Sequence, residues 1–445
     1  VTRIWTVLVL YFINLPFADD MFVVVLTLPM FALVMVGMIR LRSRYFEIGD
    51  IFWFCLFIYF VVSPLQRIHG DRIGGATAIT AYAYEADEYV MAMLVACVFV
   101  FPFVFVQMQR EEGTSTEPGA RPSMPMIVLS NAFAFVLFVL SQGGIDRLLS
   151  SRLEQDGSQG FIASMLFLGM QSVTACLAIA RFRLSPHRLL SVISICVVLL
   201  FLAVARNPFN APRFELLAVW GPVLLAFSGG KVPASRFYAC CLIVLTFVFP
   251  ILNVTTRSGI GGLQDLAGIS MMENFFDIPS VDVFDTAVHS VRFMSTHDHM
   301  WGEKLAAVIL FFVPRSIWPG KPVVGGLDIG NELFAAGMYG TPNLSFFLGY
   351  DFYMDCGFAG VLVGGVAAAF VLNAAIRARL GIFFQLRVLH FVIASSLPIL
   401  LRGPVGAVLP LFVCQVFLIL LFSMPWWRRN AGTGPVDAMP FRRGS

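Results

Sequence analysis

The stretch MFVVVLTLPMFALVMVGMIRLRSR, residues 21–44, runs uncharged from Met21 to Ile39 and then places Arg40, Arg42 and Arg44 at its end. An α-helix rises about 1.5 Å per residue, so about 20 apolar residues match the roughly 30 Å hydrocarbon core of a bilayer. Arginine clusters of this kind mark the side of a span that stays in the cytoplasm. Windows of the same kind recur at 3–18, 50–65, 89–107, 125–141, 161–180, 188–205, 213–228, 237–253, 357–376, 386–401 and 404–422. The expected fold is an all-α polytopic membrane protein with about twelve transmembrane helices, in the range 11–13.

Composition agrees. Of 445 residues, 58% are hydrophobic and 13% charged, and mean hydropathy is +0.82, whereas soluble domains carry roughly one quarter charged residues. The formal net charge of +3 is too small to attract a nucleic acid. Cysteines such as Cys55, Cys97, Cys176 and Cys414 lie inside apolar runs, where a thiol behaves as a small hydrophobe. The first residues, with Arg3 ahead of an apolar core, read as a first span rather than a cleaved leader, because a second span follows almost at once.

With the N-terminus in the cytoplasm, the inside segments collect Arg3, the 40–44 cluster, Arg110, Arg121, Arg181, Arg183, Arg188, Lys231, Arg236, Arg377, Arg379, Arg387 and the last arginines. Both ends are then cytoplasmic, and most acidic residues fall outside. The segment 110–125 and the tail from Trp427 read as disordered. The chain divides into an N-terminal bundle (1–253), a large outer loop (254–345), a C-terminal group of spans (346–425) and a tail (426–445).

A loop of that length calls for a function. Within it, PSVDVFDTAVHSVRF predicts an amphipathic helix after Pro279 with Ser280 as N-cap. At about 100° per residue, Asp282, Asp285, His289 and Arg292 share one face, opposite Val283, Val288 and Val291. Asp285 stands four residues before His289, a spacing that lets a carboxylate orient an imidazole. Two readings fit that face: an interfacial helix with a solvated polar side, and an active-site wall. His297 and His299 form a lone HxH pair for which spacing supplies no third ligand, so no metal site is expected.

EKLAAVILFFVP, residues 303–314, is too short to span but long enough to meet the membrane edge. Pro314, Pro319 and Pro322 then stiffen a turn that carries Arg315 and Lys321, and a pre-organised cationic turn suits an anion. Arg206, Arg213 and Arg257 sit at outer helix ends, where topology bias thins arginine. Snorkelling and headgroup pairing account for such residues singly. With Arg292, Arg315 and Lys321 they form a candidate pyrophosphate site.

VPRSIWPGKP (313–322) followed by LSFFLGYDFYMDCGFAGVLVGG (344–365) resembles the segment found in bacterial O-antigen and oligosaccharide repeat unit polymerases of the Wzy type. Pro314, Arg315, Ser316, Lys321 and Pro322 match its first element, and Asp351, Tyr353, Gly357 and Gly360 its second. Asp351 stands where such proteins commonly have Glu, and Asp355 where Asn is common. The resemblance implies a GT-C-like, lipid-linked glycosyltransferase in the bacterial inner membrane with its cavity facing the periplasm. Donor and acceptor would be undecaprenyl-pyrophosphate-linked oligosaccharides, with no metal or other cofactor, and a chain-length regulator is a possible partner besides membrane lipid.

On that reading Arg315 and Lys321, helped by Arg257 and Arg206 or Arg213, clamp the pyrophosphate. His289, oriented by Asp285, is the base, with Asp351 the alternative; Arg292 and Tyr353 bind substrate. The rival functions are an O-antigen ligase, which uses the same donor on a lipid A-core acceptor, and a transporter or flippase, which would place ionisable groups at mid-span.

Overall fold

Asp20 closes the turn after the first helix, α1 (Thr2–Asn14), by accepting the Val23 amide hydrogen at 3.0 Å, and α2 (Met21–Arg40) starts there. The computed structural model describes residues 2–74, 82–106, 123–145, 161–183, 189–207, 213–229, 232–248, 251, 282–340, 342, 344–377, 384–403 and 405–423. Of the segment 110–125 expected to be disordered, residues 110–122 lie outside them, as does the tail from Trp427, while a helix starts at Met124.

The long helices follow the apolar windows. Among the described residues, α3 (Ile48–Arg67), α4 (Ala86–Phe105), α5 (Met124–Gln142), α6 (Phe161–Phe182) and a later helix, Leu348–Arg377, join α2 as the six that are long and apolar enough to cross a membrane. The remaining windows coincide with shorter apolar helices: Thr2–Phe17, Leu189–Ala205 (α7), Glu215–Ser228 within α8 (Arg213–Ser228), Ala234–Val248 (α9), Val388–Arg402 and Leu409–Ser423. The chain is an all-α membrane protein.

Two groups of helices pack side by side. α1, α2, α4, α9 and the later helix Phe384–Arg402 surround α3, which is buried along nearly its whole length. Gly37 makes that possible on one side: a Cβ there would lie 2.1 Å from the Trp53 indole, so only glycine admits α2 this close to α3. α5 to α8 form the second group with two helices from the end of the chain.

One end of the bundle is tied by Arg3. Its guanidinium meets Asp50 at 2.6 and 2.9 Å and donates to backbone carbonyls of Leu41, Ser43 and Tyr45, while the Tyr238 hydroxyl also reaches Asp50. Phe46 donates to the Val232 carbonyl, Ala234 to that of Arg44, and Arg183 to that of Phe227. Segments expected on one side of the membrane thus gather at one end of the molecule.

The opposite end carries the loop elements. A small antiparallel sheet, β1 (Ile68–His69), β2 (Arg72–Ile73) and β3 (Tyr82–Ala83), follows α3 directly. Then come α10 (Val283–Thr296), α11 (Glu303–Ile309) and α12 (Gly325–Ala335). α13 (Leu348–Arg377) begins beside them, and α14 (Phe384–Arg402) and α15 (Val405–Ser423) complete the fold. α13 is kinked at Gly357, whose φ of +61° is the left-handed region open to glycine. The kink sets its first turns, with Asp351 and Asp355, apart from the apolar length that follows.

Those two carboxylates fix the loop. Asp355 accepts the Lys304 and Leu305 amide hydrogens at 3.0 and 2.9 Å, at the start of α11. Asp351 accepts the Gly325 amide hydrogen at 3.1 Å, at the start of α12. Four residues apart on one helix face, they cap two loop helices at their positive ends.

Candidate active site

α10 is the amphipathic helix expected from the sequence, but its surroundings differ. Ser280 lies outside the described residues, and the helix begins after Asp282. Its polar face is not solvated: Asp282, Asp285, Thr286, His289 and Ser290 are as buried as Val283, Val288 and Val291 on the other side. A buried charge needs a partner, and each charged residue of α10 finds one on another element.

Asp285 takes Arg67, at the end of α3, through two bonds of 3.0 and 2.5 Å, and the Tyr339 hydroxyl as a third donor. Asp282 accepts from the Ser345 amide and hydroxyl and lies 3.4 Å from Arg402 at the end of α14. Burial pushes the Asp282 carboxyl up, but Arg402, Ser345 and Arg67 outweigh it and hold the group below the usual carboxylate range. Arg292 forms a two-point pair with Glu88 of α4, donates to the Ala83 carbonyl at 2.8 Å and lies 4.2 Å over the Tyr84 ring.

The expected Asp285–His289 orientation is therefore not made. In a low-dielectric interior a carboxylate gains far more from a guanidinium than from a neutral imidazole one turn away. His289 is held instead by Tyr84, whose hydroxyl lies 2.9 Å from Nδ1. Nε2 is buried without a hydrogen-bond partner, 3.6 Å from the Glu332 carboxylate of α12. Burial pushes the imidazole pKa down; Glu332 pulls it up and Arg292 pushes it down, leaving it below its ordinary value. A neutral imidazole with one bare nitrogen is what a general base requires.

Asp351 is fully buried, and its described contact is with the start of α12 rather than with His289. Lys321 is occupied as well: its ammonium donates to the carbonyls of Leu310, Phe311 and Val313, sealing the end of α11. Arg315 donates to the Lys321 carbonyl and is otherwise exposed. We expect Lys321→Met to free those carbonyls at a local cost of about 1–2 kcal/mol, read as faster limited proteolysis between residues 310 and 321 with no change elsewhere.

Arg206 pairs with Glu215, and half-buried Tyr353 packs edge-on against Phe358. Arg257 and the side chain of Arg213 lie outside the described residues. Among the described residues no three His, Cys, Asp or Glu side chains are placed to hold a metal ion.

The sequence reading missed Arg67, Tyr84, Glu88, Glu332, Tyr339 and Arg402. A signal existed for two of them. Arg67 and Arg402 are arginines at helix ends on the side where topology bias should thin them, the argument already applied to Arg206, Arg213 and Arg257. Comparison with protein-family models, curated proteins and solved structures yields no match for this chain.

Proposed function

We propose that the chain is a membrane glycosyltransferase that polymerises undecaprenyl-pyrophosphate-linked oligosaccharide repeat units. In this reading all twelve apolar helices cross the bacterial inner membrane, both ends are cytoplasmic and the α10 end of the bundle faces the periplasm. The observation that carries the proposal is His289: a buried, neutral imidazole with Nε2 bare, locked among ion pairs to α3, α4 and α14. The motif resemblance at 313–322 and 344–365 supports the substrate class.

His289 takes the proton of the acceptor hydroxyl as that oxygen attacks the donor's anomeric carbon. The bond to pyrophosphate breaks, and the departing oxygen keeps the electron pair. Arg292 of α10, and Arg67 and Arg402 that meet α10 from α3 and α14, are each matched by a carboxylate, so they hold the helix rather than the leaving group. Exposed Arg315 is the residue proposed to meet the lipid-linked pyrophosphate.

The test is purified protein with defined lipid-linked repeat units: a ladder of lengths supports a polymerase, capped single transfers point to a ligase, and movement across liposomes without bond formation to a transporter. Arg315→Ala lowers polymer yield; unchanged length and yield removes it from the clamp. The pH profile follows from the neutral imidazole. Rate is full above the ordinary histidine value of about 6.5 and falls as pH drops through the lower value of His289.

A further inference from the structure

The wedge between His289 and Glu332 has a shape and charge that select what enters it. Nε2 and the carboxylate oxygen are 3.6 Å apart, too far for a hydrogen bond, and one oxygen about 2.8 Å from each would bridge them. Nε2 is closed to solvent, while the Glu332 side chain beside it is 46% exposed, so the way to Nε2 runs past Glu332 and opens when that side chain turns outward. Half-exposed Tyr82, on edge strand β3, flanks the imidazole with its ring centre 6.5 Å away and nearly perpendicular. Around His289 stand Tyr82 from β3, Tyr84 just after it, Glu88 from α4, Arg292 from α10 and Glu332 from α12.

Two carboxylates near the wedge, with Arg292 already matched by Glu88, repel a pyrophosphate. A neutral, hydroxyl-bearing ring beside an aromatic side chain meets no such penalty. Resting on the polymerase reading, we propose that this wedge seats the attacking hydroxyl of the acceptor sugar, with Glu332 as the anion that stabilises the protonated imidazole. The hydroxyl donates to Nε2 while Nδ1–H donates to the Tyr84 oxygen. As the sugar oxygen bonds to the donor's anomeric carbon, its proton passes to Nε2. The imidazolium then faces Glu332, and the pyrophosphate leaves with the electron pair of the broken bond. Glu332 is thus a positioning residue that acts through His289, and the donor pyrophosphate is held elsewhere.

Two measurements test this. The first needs no activity: reaction of His289 with diethyl pyrocarbonate, followed by mass spectrometry across pH. Glu332→Gln moves the midpoint of modification down by about one pH unit while the thermal midpoint of the protein stays unchanged; an unmoved midpoint overturns the pairing. The second uses a repeat unit on a short alkyl aglycone, which accepts but cannot donate, with the lipid-linked donor varied separately. Glu332→Gln lowers kcat/KM for this acceptor by about 10–100-fold, Glu332→Asp recovers part of it, and donor KM is unchanged. A raised donor KM with acceptor kinetics intact overturns the assignment. If Glu332→Gln moves the midpoint but the wild-type protein makes no polymer, the polymerase reading and the acceptor role are overturned and the Glu332–His289 pairing is upheld.

Discussion

Replacing His289 by alanine lowers the rate of glycan polymerisation by about 10²–10⁴-fold, the usual contribution of a positioned general base, and leaves the helical content of the protein unchanged. The imidazole makes a single described hydrogen bond, to the Tyr84 hydroxyl, and its other nitrogen has none, so removing the ring breaks little that holds α10 in place. Tyr84→Phe is the companion variant. It deletes the bond to Nδ1, frees the ring to turn, and lowers rate by less than the alanine change. Steady-state rates on lipid-linked repeat units, with circular dichroism of the purified variants, decide the matter. A His289→Ala protein as active as the parent removes the base and the mechanism built on it.

Arg67→Ala and Asp285→Ala each destabilise the protein by about 3–5 kcal/mol, because each leaves one charge buried without its partner. Both side chains are almost fully buried, and the Tyr339 hydroxyl depends on the same carboxylate. The double variant Arg67→Met/Asp285→Leu removes both charges and recovers most of the loss, so the two effects are strongly non-additive. Denaturant unfolding in detergent measures this. Additive losses would mean that the pair contributes nothing as a pair. The single variants also lose polymerisation, since α10 carries His289 one turn beyond Asp285.

Apolar length and basic-residue bias made the helices legible, since each window from 3–18 to 404–422 coincides with an apolar helix. α10 was legible too, through the periodicity of Val283, Val288 and Val291. Its environment was not. Asp285 and Arg67 are 218 residues apart, Tyr84 and His289 205, and Arg292 and Glu88 204. Sequence spacing shows which residues share a helix face; it does not show which element will cover that face. The local Asp285–His289 contact gave way to a distant guanidinium because charge pairs with charge when water is absent. Lys321 shows the same limit: the proline turn was readable, but the three carbonyls that occupy its ammonium depend on how the chain folds back on α11. The sheet at 68–83 escaped because its strands are two residues long, too short for any period to show.

The ion pairs of α10 also set an order on synthesis. Arg67 leaves the ribosome long before Asp285, so that partner is waiting when the carboxylate arrives. Arg402 comes 120 residues after Asp282. Until α14 has been made and inserted, Asp282 lacks Arg402, the larger of its two cationic partners, and burying α10 against the bundle would leave that carboxylate under-compensated away from water. A nascent chain halted before α14 therefore holds His289 in an unfinished pocket, and the base takes its working position only once translation has passed Arg402.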